Sequence, residues 1–169
     1  VAMKTPIPFY LQEILTRVRG NRSGAVADYI PELAKAEPDY LGVAICTTTG
    51  HVYSAGDAEV EFTLQSVSNP FAYALALQEL GLDAVREIVG MEPSGEAFNE
   101  LSLNRYDHRP VNPMINAGAI AVTQLINGVD SDPAERVEQL RSYFSRLAGR
   151  ELKGKPVETP VTNAVFAGK

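Results

Sequence analysis

Residues 67–80 constrain the fold more than any other part of the sequence, because this segment is apolar on nearly every side. A helix with that pattern has no polar face for water, so it is predicted to be buried among other elements. Gly81 follows it as a residue suited to end a helix. The extended stretch 61–65 leads into the segment, which places Ser66 at the entrance of a buried helix.

Further helices are predicted on both sides, from apolar residues at helical spacing and from residues typical of helix ends. One of them carries Tyr29 and is broken or restarted at Pro31, because proline does not continue a helix interior. Asp132 and Gly149 are the start and stop signals of the last helix. The predicted ranges are residues 11–18, 26–33, 83–89, 116–122 and 132–149.

Two short apolar runs, residues 41–46 and 51–55, flank a turn that contains Gly50, and they predict a β-hairpin. The order of helix, hairpin and helical block predicts an α/β fold of the layered α+β kind, in which helices pack on an antiparallel sheet. A two-stranded hairpin is marginal in water, so we expect the sheet to be incomplete in this chain. We expect the tail, another copy of the chain or further polypeptide to complete it.

The net charge of −6 argues against a nucleic-acid partner, because phosphate binding needs a basic surface. No apolar run is long enough to span a bilayer, and the first residues lack the apolar core of a signal peptide. We therefore expect a cytoplasmic protein without a membrane partner.

The chain has a single cysteine, Cys46, which excludes an internal disulfide. Its apolar neighbours predict a small buried core residue. The two histidines, His51 and His108, lack the spacing of metal ligands. We therefore expect neither a metal site nor a cofactor.

Ser66, at the start of the predicted buried helix, allows two interpretations. Its hydroxyl can accept a backbone N–H and cap the helix. Alternatively it is a nucleophile, because the N–H groups and the dipole of a helix N-terminus stabilise developing negative charge. A serine nucleophile needs a base, which in S-x-x-K sites is a lysine one turn later on the same face.

Four stretches of unusual composition carry a resemblance that runs from about residue 6 to residue 149. They are residues 27–34 (ADYIPELA), 41–53 with 62–71, 89–99 (VGMEPSGEAFN) and 112–120 (NPMINAGAI). In these stretches the chain resembles the serine-dependent glutaminases, which share the fold of β-lactamases and penicillin-binding proteins. The resemblance implies that fold for a domain of residues 1–149, followed by a tail of residues 150–169.

The resemblance also implies a reaction, the hydrolysis of the side-chain amide of L-glutamine to L-glutamate and ammonia. Ser66 matches the family nucleophile, which also contacts the substrate. Tyr29 matches a tyrosine near the reacting centre, suited to relaying a proton or orienting the serine. Asn116 matches a substrate-binding asparagine, whose amide can donate to a carboxylate and accept from an ammonium. Without the resemblance, Tyr29 would be a half-buried tyrosine on an amphipathic helix and Asn116 a helix N-cap.

Two departures from the family pattern bear on this prediction. Asn69 stands where the lysine of S-x-x-K is expected, and an amide cannot take the proton of a serine hydroxyl. Losing a general base typically lowers a rate by about 10²–10⁴. Family members are also considerably longer, and their later substrate-binding residues have no counterpart that can be placed here. We expect little glutaminase activity from this chain, and Asn69→Lys alone is not expected to restore normal turnover.

Three hypotheses remain. The chain is a glutaminase-family enzyme or a fragment of one, or it is a catalytically impaired relative that serves as a ligand-binding or assembly module. A penicillin-recognising or β-lactamase-like relative has the least support, since it also needs lysine at position 69. The resemblance implies a homo-oligomer that takes L-glutamine as a small-molecule substrate, and the incomplete sheet is an independent reason to expect a partner surface.

Overall fold

The computed structural model describes residues 5–97, 100–152 and 167–168, and these form two compact units. The first unit holds residues 5–61, and the second holds the described residues from 62 to 168. The chain combines helices with antiparallel strands, which confirms the predicted α/β class. Most of the predicted tail, residues 153–166 and 169, lies outside the described residues, and the boundary at residue 149 stays a prediction.

A helix and a hairpin form the first unit. Helix α1 (Ile7–Val18) packs on the antiparallel strands β1 (Gly42–Cys46) and β2 (Val52–Gly56), so the predicted helix and hairpin are confirmed. Leu15 of α1 is 2% exposed and reaches the backbone of β2. A side chain at Gly56, whose φ is +69°, would meet Leu15 Cδ1 at 2.7 Å, so this end of the hairpin requires glycine.

Two predictions for the first unit are wrong. No α-helix forms around Tyr29, because residues 28–32 are turns and a bend, and only a 3₁₀ helix, Leu33–Lys35, follows them. Pro31 has no N–H to donate and would clash with the preceding turn of an α-helix. Cys46 is exposed and not buried, since the sheet to which it belongs has two strands and leaves much of their surface open.

The described part of the second unit contains four α-helices and two short strands. The chain runs from β3 (Phe62–Thr63) through a 3₁₀ helix (Gln65–Ser68) into α2 (Asn69–Leu80). The later elements are α3 (Leu82–Arg86), α4 (Asn116–Leu125), α5 (Pro133–Ala148) and β4 (Ala167–Gly168). Strand β4 pairs antiparallel with β3. The helices predicted for this region are confirmed, with α3 ending earlier than expected.

Helix α2 is the centre of the hydrophobic core of the second unit, as its apolar composition predicts. Leu75 and Ala76 are 1% and 0% exposed and belong to a cluster with side chains of α3, α4 and α5. Gly81, at φ +80°, lets the chain turn directly from α2 into α3. Because neighbouring helices hold α2 on several sides, the position of its first turn is fixed.

The N-terminal cap of α5 gives a stability prediction. The carboxylate of Asp132 accepts a hydrogen bond from the backbone N–H of Ala134 at 2.8 Å, as the sequence predicts. Asp132→Ala is expected to lower the free energy of unfolding by about 1 kcal/mol, measured by urea denaturation. Asp130→Ala removes an exposed carboxylate two residues earlier and is the matched control, with a change within about 0.5 kcal/mol. Equal losses in the two variants would contradict the capping role.

Candidate functional site

Ser66 lies inside the 3₁₀ helix between β3 and α2, and its side chain is exposed. It caps neither helix, because Leu64 is the N-cap of the 3₁₀ helix and Ser68 that of α2. The Ser68 hydroxyl donates to the carbonyl oxygen of Gln65 at 2.7 Å. The Ser66 hydroxyl has no intramolecular hydrogen bond within the described ranges. The capping interpretation of Ser66 is therefore wrong, and its hydroxyl is available for chemistry.

The backbone immediately before Ser66 is strained. Gln65 has a φ of 47°, in the left-handed region that residues other than glycine rarely occupy. This conformation costs on the order of 1–2 kcal/mol, so surrounding contacts must maintain it. One of these contacts is the hydrogen bond from Gln65 Nε2 to Thr63 Oγ1 at 3.2 Å. Strain of this kind concentrates at functional sites, and here it sets the direction in which the chain enters the turn that carries Ser66.

Asn69, the first residue of α2, is 7% exposed and is one of the buried polar residues of the second unit. Its side-chain Nδ2 donates to the carbonyl oxygen of Met114 at 3.0 Å. The two residues are 45 positions apart, so this bond ties the first turn of α2 to the loop before α4. Among the described residues, the amide nitrogen of Asn69 donates to Met114 and not to Ser66. Asn69 is therefore a structural tether without a basic group.

The turn before α4 is organised by the side chain of Asn112. Its Oδ1 accepts hydrogen bonds from the backbone N–H groups of Met114 at 2.9 Å and Ile115 at 3.2 Å. Its Nδ2 donates to the carbonyl oxygen of Glu92 at 2.9 Å. Sequence reasoning missed this residue, although the Asn-Pro pair at 112–113 is a known turn signal.

Asn116 follows this turn as the first residue of α4 and is half-buried. The N-cap of α4 is Ile115, which provides no side-chain cap, so the alternative interpretation of Asn116 as an N-cap is wrong. Its side-chain amide has no hydrogen-bond partner in the part of the chain that the structure describes. Asn69 is bonded to Met114, two residues before Asn116, and the structure thereby links the predicted nucleophile and the predicted substrate-binding residue.

Backbone pairing supports the turn from the side of residues 90–92. The N–H of Gly90 donates to the carbonyl oxygen of Pro110 at 2.8 Å, and the N–H of Glu92 donates to that of Val111 at 2.9 Å. A side chain at Gly90 would meet the carbonyl oxygen of Val111 at 2.5 Å, so the two segments approach backbone to backbone. The chain therefore enters the Asn112 turn from a fixed direction.

An ion pair closes the loop that precedes this turn. The backbone N–H of Arg109 donates to the Asp107 carboxylate at 3.1 Å, and its guanidinium does so at 2.7 Å. Both donors favour the charged carboxylate, so they hold the pKa of Asp107 below its ordinary value. The pair is exposed to solvent, and we assign it no part in the chemistry.

Tyr29 lies in the first unit, in the turn at residues 28–29, and is 71% exposed. The alternative interpretation as a half-buried tyrosine on an amphipathic helix is therefore wrong. The structure gives its hydroxyl no hydrogen bond among the described residues. Its predicted role near the reacting centre stays a prediction.

The residues that the structure describes contain neither a metal-binding cluster nor a membrane-spanning helix. No three His, Cys, Asp or Glu side chains there are grouped so that they could hold a metal ion. No helix in the same ranges is long and apolar enough to cross a bilayer.

A family model described as Glutaminase matches residues 24–160 of the chain. The glutaminase of Corynebacterium glutamicum is 66% identical over 147 residues, which are 87% of this chain and 35% of that protein. The mitochondrial liver isoform of glutaminase from Mus musculus is 42% identical over 145 residues, or 86% of this chain and 24% of that protein. The chain thus spans about a third of the length of its bacterial relative and a quarter of the mammalian one.

Solved structures give the same result. The crystal structure of Mglu in its tris and glutamate form matches with a TM-score of 0.82 and 51% identity, over 90% of this chain and 34% of that one. A structure described as a probable glutaminase matches with a TM-score of 0.79 and 35% identity, over 88% of this chain and 48% of that one. The predicted glutaminase fold is confirmed, and its kinship with β-lactamases stays a prediction.

Proposed function

Because the chain belongs to the glutaminase family, we propose that it carries a site that binds L-glutamine and hydrolyses its side-chain amide through Ser66. One observation carries this proposal. The Ser66 hydroxyl is exposed and unbonded within the described residues, at the entrance of a buried helix and directly after the strained backbone of Gln65. A serine with only a structural role would use its hydroxyl, as Ser68 does.

The reaction has two stages at Ser66. In the first, Oγ attacks the side-chain carbonyl carbon of glutamine, the C–N bond breaks, and the nitrogen takes up a proton and leaves as ammonia. In the second, water attacks the resulting ester, releases L-glutamate and returns the hydroxyl. Both stages place negative charge on the carbonyl oxygen, and the backbone N–H groups and dipole at the start of α2 are suited to stabilise such charge.

Removal of the proton from the Ser66 hydroxyl is the step for which this chain lacks the expected base. A serine hydroxyl is a poor nucleophile until a base takes its proton. Asn69 occupies the position of that base in S-x-x-K sites, and an amide is not basic near neutral pH. We therefore propose that turnover by this chain is slow, because water has to take the proton.

The remaining roles belong to the same proposal. Asn116, at the N-terminus of α4, has an amide without a hydrogen bond to any described residue. We propose that this amide binds the amino-acid part of glutamine, since it can donate to the carboxylate and accept from the ammonium. Tyr29 is assigned the family's tyrosine role, in which its hydroxyl relays a proton or orients the serine. We also propose that the protein is a homo-oligomer located in the cytoplasm. We expect it to have neither a nucleic-acid nor a membrane partner.

A second candidate function is a ligand-binding relative that does not turn over its ligand. The hydrogen bond from Asn69 to Met114 favours it, because a buried amide in this bond holds the first turn of α2 to the loop before α4 and does not serve proton transfer. Such a protein would bind L-glutamine or L-glutamate and release no ammonia above the background.

The test combines calorimetric titration with L-glutamine and a coupled assay for ammonia, both on the purified chain. We expect heat of binding at millimolar L-glutamine and slow ammonia release that Ser66→Ala abolishes. Ser142→Ala, in α5, is the matched serine control and should leave the release unchanged. Binding without release would select the ligand-binding relative. Neither heat nor ammonia would overturn both candidates, and release that survives Ser66→Ala would overturn the role of Ser66.

A further inference from the structure

We propose that Asn112 is a positioning residue for the glutamine site and that Asn69 acts with it. Together, as an asparagine clamp (Asn69 and Asn112), they set where Asn116 stands relative to Ser66. This inference rests on the proposed function, because it takes Asn116 as a substrate-binding residue and Ser66 as the nucleophile.

The first half of the clamp fixes the turn internally. Asn112 Oδ1 accepts from the N–H groups of Met114 and Ile115, which belong to the turn and precede the first residue of α4. Side-chain bonds of this kind replace a backbone turn and select one conformation of the chain. Because Asn116 is the next residue, the conformation of the turn decides where α4 begins and where the amide of Asn116 points.

Asn112 also anchors the turn from outside. Its Nδ2 donates to the carbonyl oxygen of Glu92, and the N–H of Glu92 donates to the carbonyl oxygen of Val111. Both polar groups of the Glu92 backbone therefore bind the segment at residues 111–112. The turn cannot shift along the chain without breaking one of these bonds.

The second half of the clamp connects the turn to the nucleophile. Asn69 lies three residues after Ser66, on a helix that the core holds in place, and its amide binds the carbonyl oxygen of Met114. Asn69 follows Ser66 by three positions, and Asn116 follows Met114 by two. A single part-buried hydrogen bond thus joins two short pieces of chain.

Close packing between α4 and the turn before it also holds the turn in place. Gly118, on the first turns of α4, is so near the loop that a Cβ there would overlap the carbonyl oxygen of Asn112 and lie 2.9 Å from Pro113 Cα. The backbone of α4 therefore rests directly on the clamped turn. An error of about 1 Å in the placement of a substrate-positioning group can cost roughly 100-fold in rate, so this fixation matters for the proposed reaction.

The test compares L-glutamine binding by calorimetry in the full chain and in three variants. Asn112→Ala removes every bond of that side chain, Asn112→Asp keeps the acceptor but loses the donor, and Asn69→Leu removes the tether. Asn104→Ala is the matched control, because Asn104 Oδ1 accepts from the N–H of Tyr106 at 2.9 Å in a similar turn outside the clamp. All titrations are made at a temperature at which circular dichroism shows each variant to be folded.

We expect Asn112→Ala and Asn69→Leu to weaken L-glutamine binding by about tenfold, and Asn112→Asp to recover part of that loss. Asn104→Ala should bind as the native chain does. A purely structural role would lower the denaturation midpoint and leave the affinity of the folded protein unchanged. If a variant does not fold, the other two carry the test.

The outcomes separate this inference from the function on which it rests. If the native chain binds L-glutamine and the clamp variants bind it with unchanged affinity, the positioning role of the clamp is wrong and the proposed function stands. Equal weakening in Asn104→Ala also overturns the clamp, since any altered turn would then have the same effect. If the native chain binds no L-glutamine, the proposed function is wrong, and the positioning role of the clamp, which depends on it, is wrong as well.

Discussion

Replacing Asn69 by lysine is expected to raise the rate of Ser66-dependent ammonia release from L-glutamine by about 10²–10⁴. The lysine side chain would start from the first turn of α2, at a position that is 7% exposed for asparagine. Burial lowers the pKa of a lysine amine, so a neutral amine becomes available to take the proton of Ser66. The expected gain is a ratio to the native chain, and the rate should remain below that of the longer relatives.

The matched control for this change is Asn69→Gln. A glutamine keeps an amide N–H that can donate toward Met114, and it is longer than asparagine, but it is not basic. We expect no gain from it, and we expect the gain from Asn69→Lys to vanish in the double variant with Ser66→Ala. The pH profile of Asn69→Lys should rise as the lysine loses its proton. An equal gain from glutamine, or a gain that survives without Ser66, would rule out a restored base.

Gly118→Ala is expected to lower the free energy of unfolding by roughly 3 kcal/mol, a large part of the stability of an ordinary domain. An added Cβ would overlap the carbonyl oxygen of Asn112 and would lie 2.7 Å from its carbonyl carbon. These are backbone atoms, so the turn before α4 has to move as a whole. The loss is expected in spite of helix propensity, which favours alanine over glycine by about 1 kcal/mol.

Urea denaturation measures this effect, with Gly24→Ala as the control. An added Cβ at Gly24 meets nothing within 4 Å, and the substitution should leave stability within about 0.5 kcal/mol of the native value or raise it slightly. If Gly118→Ala is as stable as the native chain, the close approach of α4 to the turn does not exist in solution.

The elements of this fold could be predicted where local chemistry decides them. Asp132 and Gly149 mark the ends of α5 through a side-chain cap and a left-handed residue, and both signals lie within the helix and its neighbours. Tyr29 and Cys46 were placed wrongly for different reasons. Around Tyr29 the apolar spacing is helical, but Pro31 prevents the hydrogen bonding of an α-helix. An apolar run predicts that Cys46 lies in a strand, but it does not tell how many strands cover it.

The candidate site likewise contains residues that could be predicted from the sequence and residues that could not. Ser66 and Asn116 were predicted from motifs, and the structure connects them through the turn before α4. The residues that make this connection, Asn112 and Asn69, could not be assigned their roles from the sequence. Their bonds reach residues 20 and 45 positions away, and a side chain of asparagine gives no periodic signal for such a partner.

The bond between Asn69 and the Met114 carbonyl uses an N–H donor at position 69. An asparagine amide and a lysine amine both carry N–H donors, although only the amine is basic. In the genetic code the codons of these two amino acids differ only in their last nucleotide. The chain therefore lies one point mutation away from a basic residue at this position. A single nucleotide change is enough to place a base three residues after Ser66.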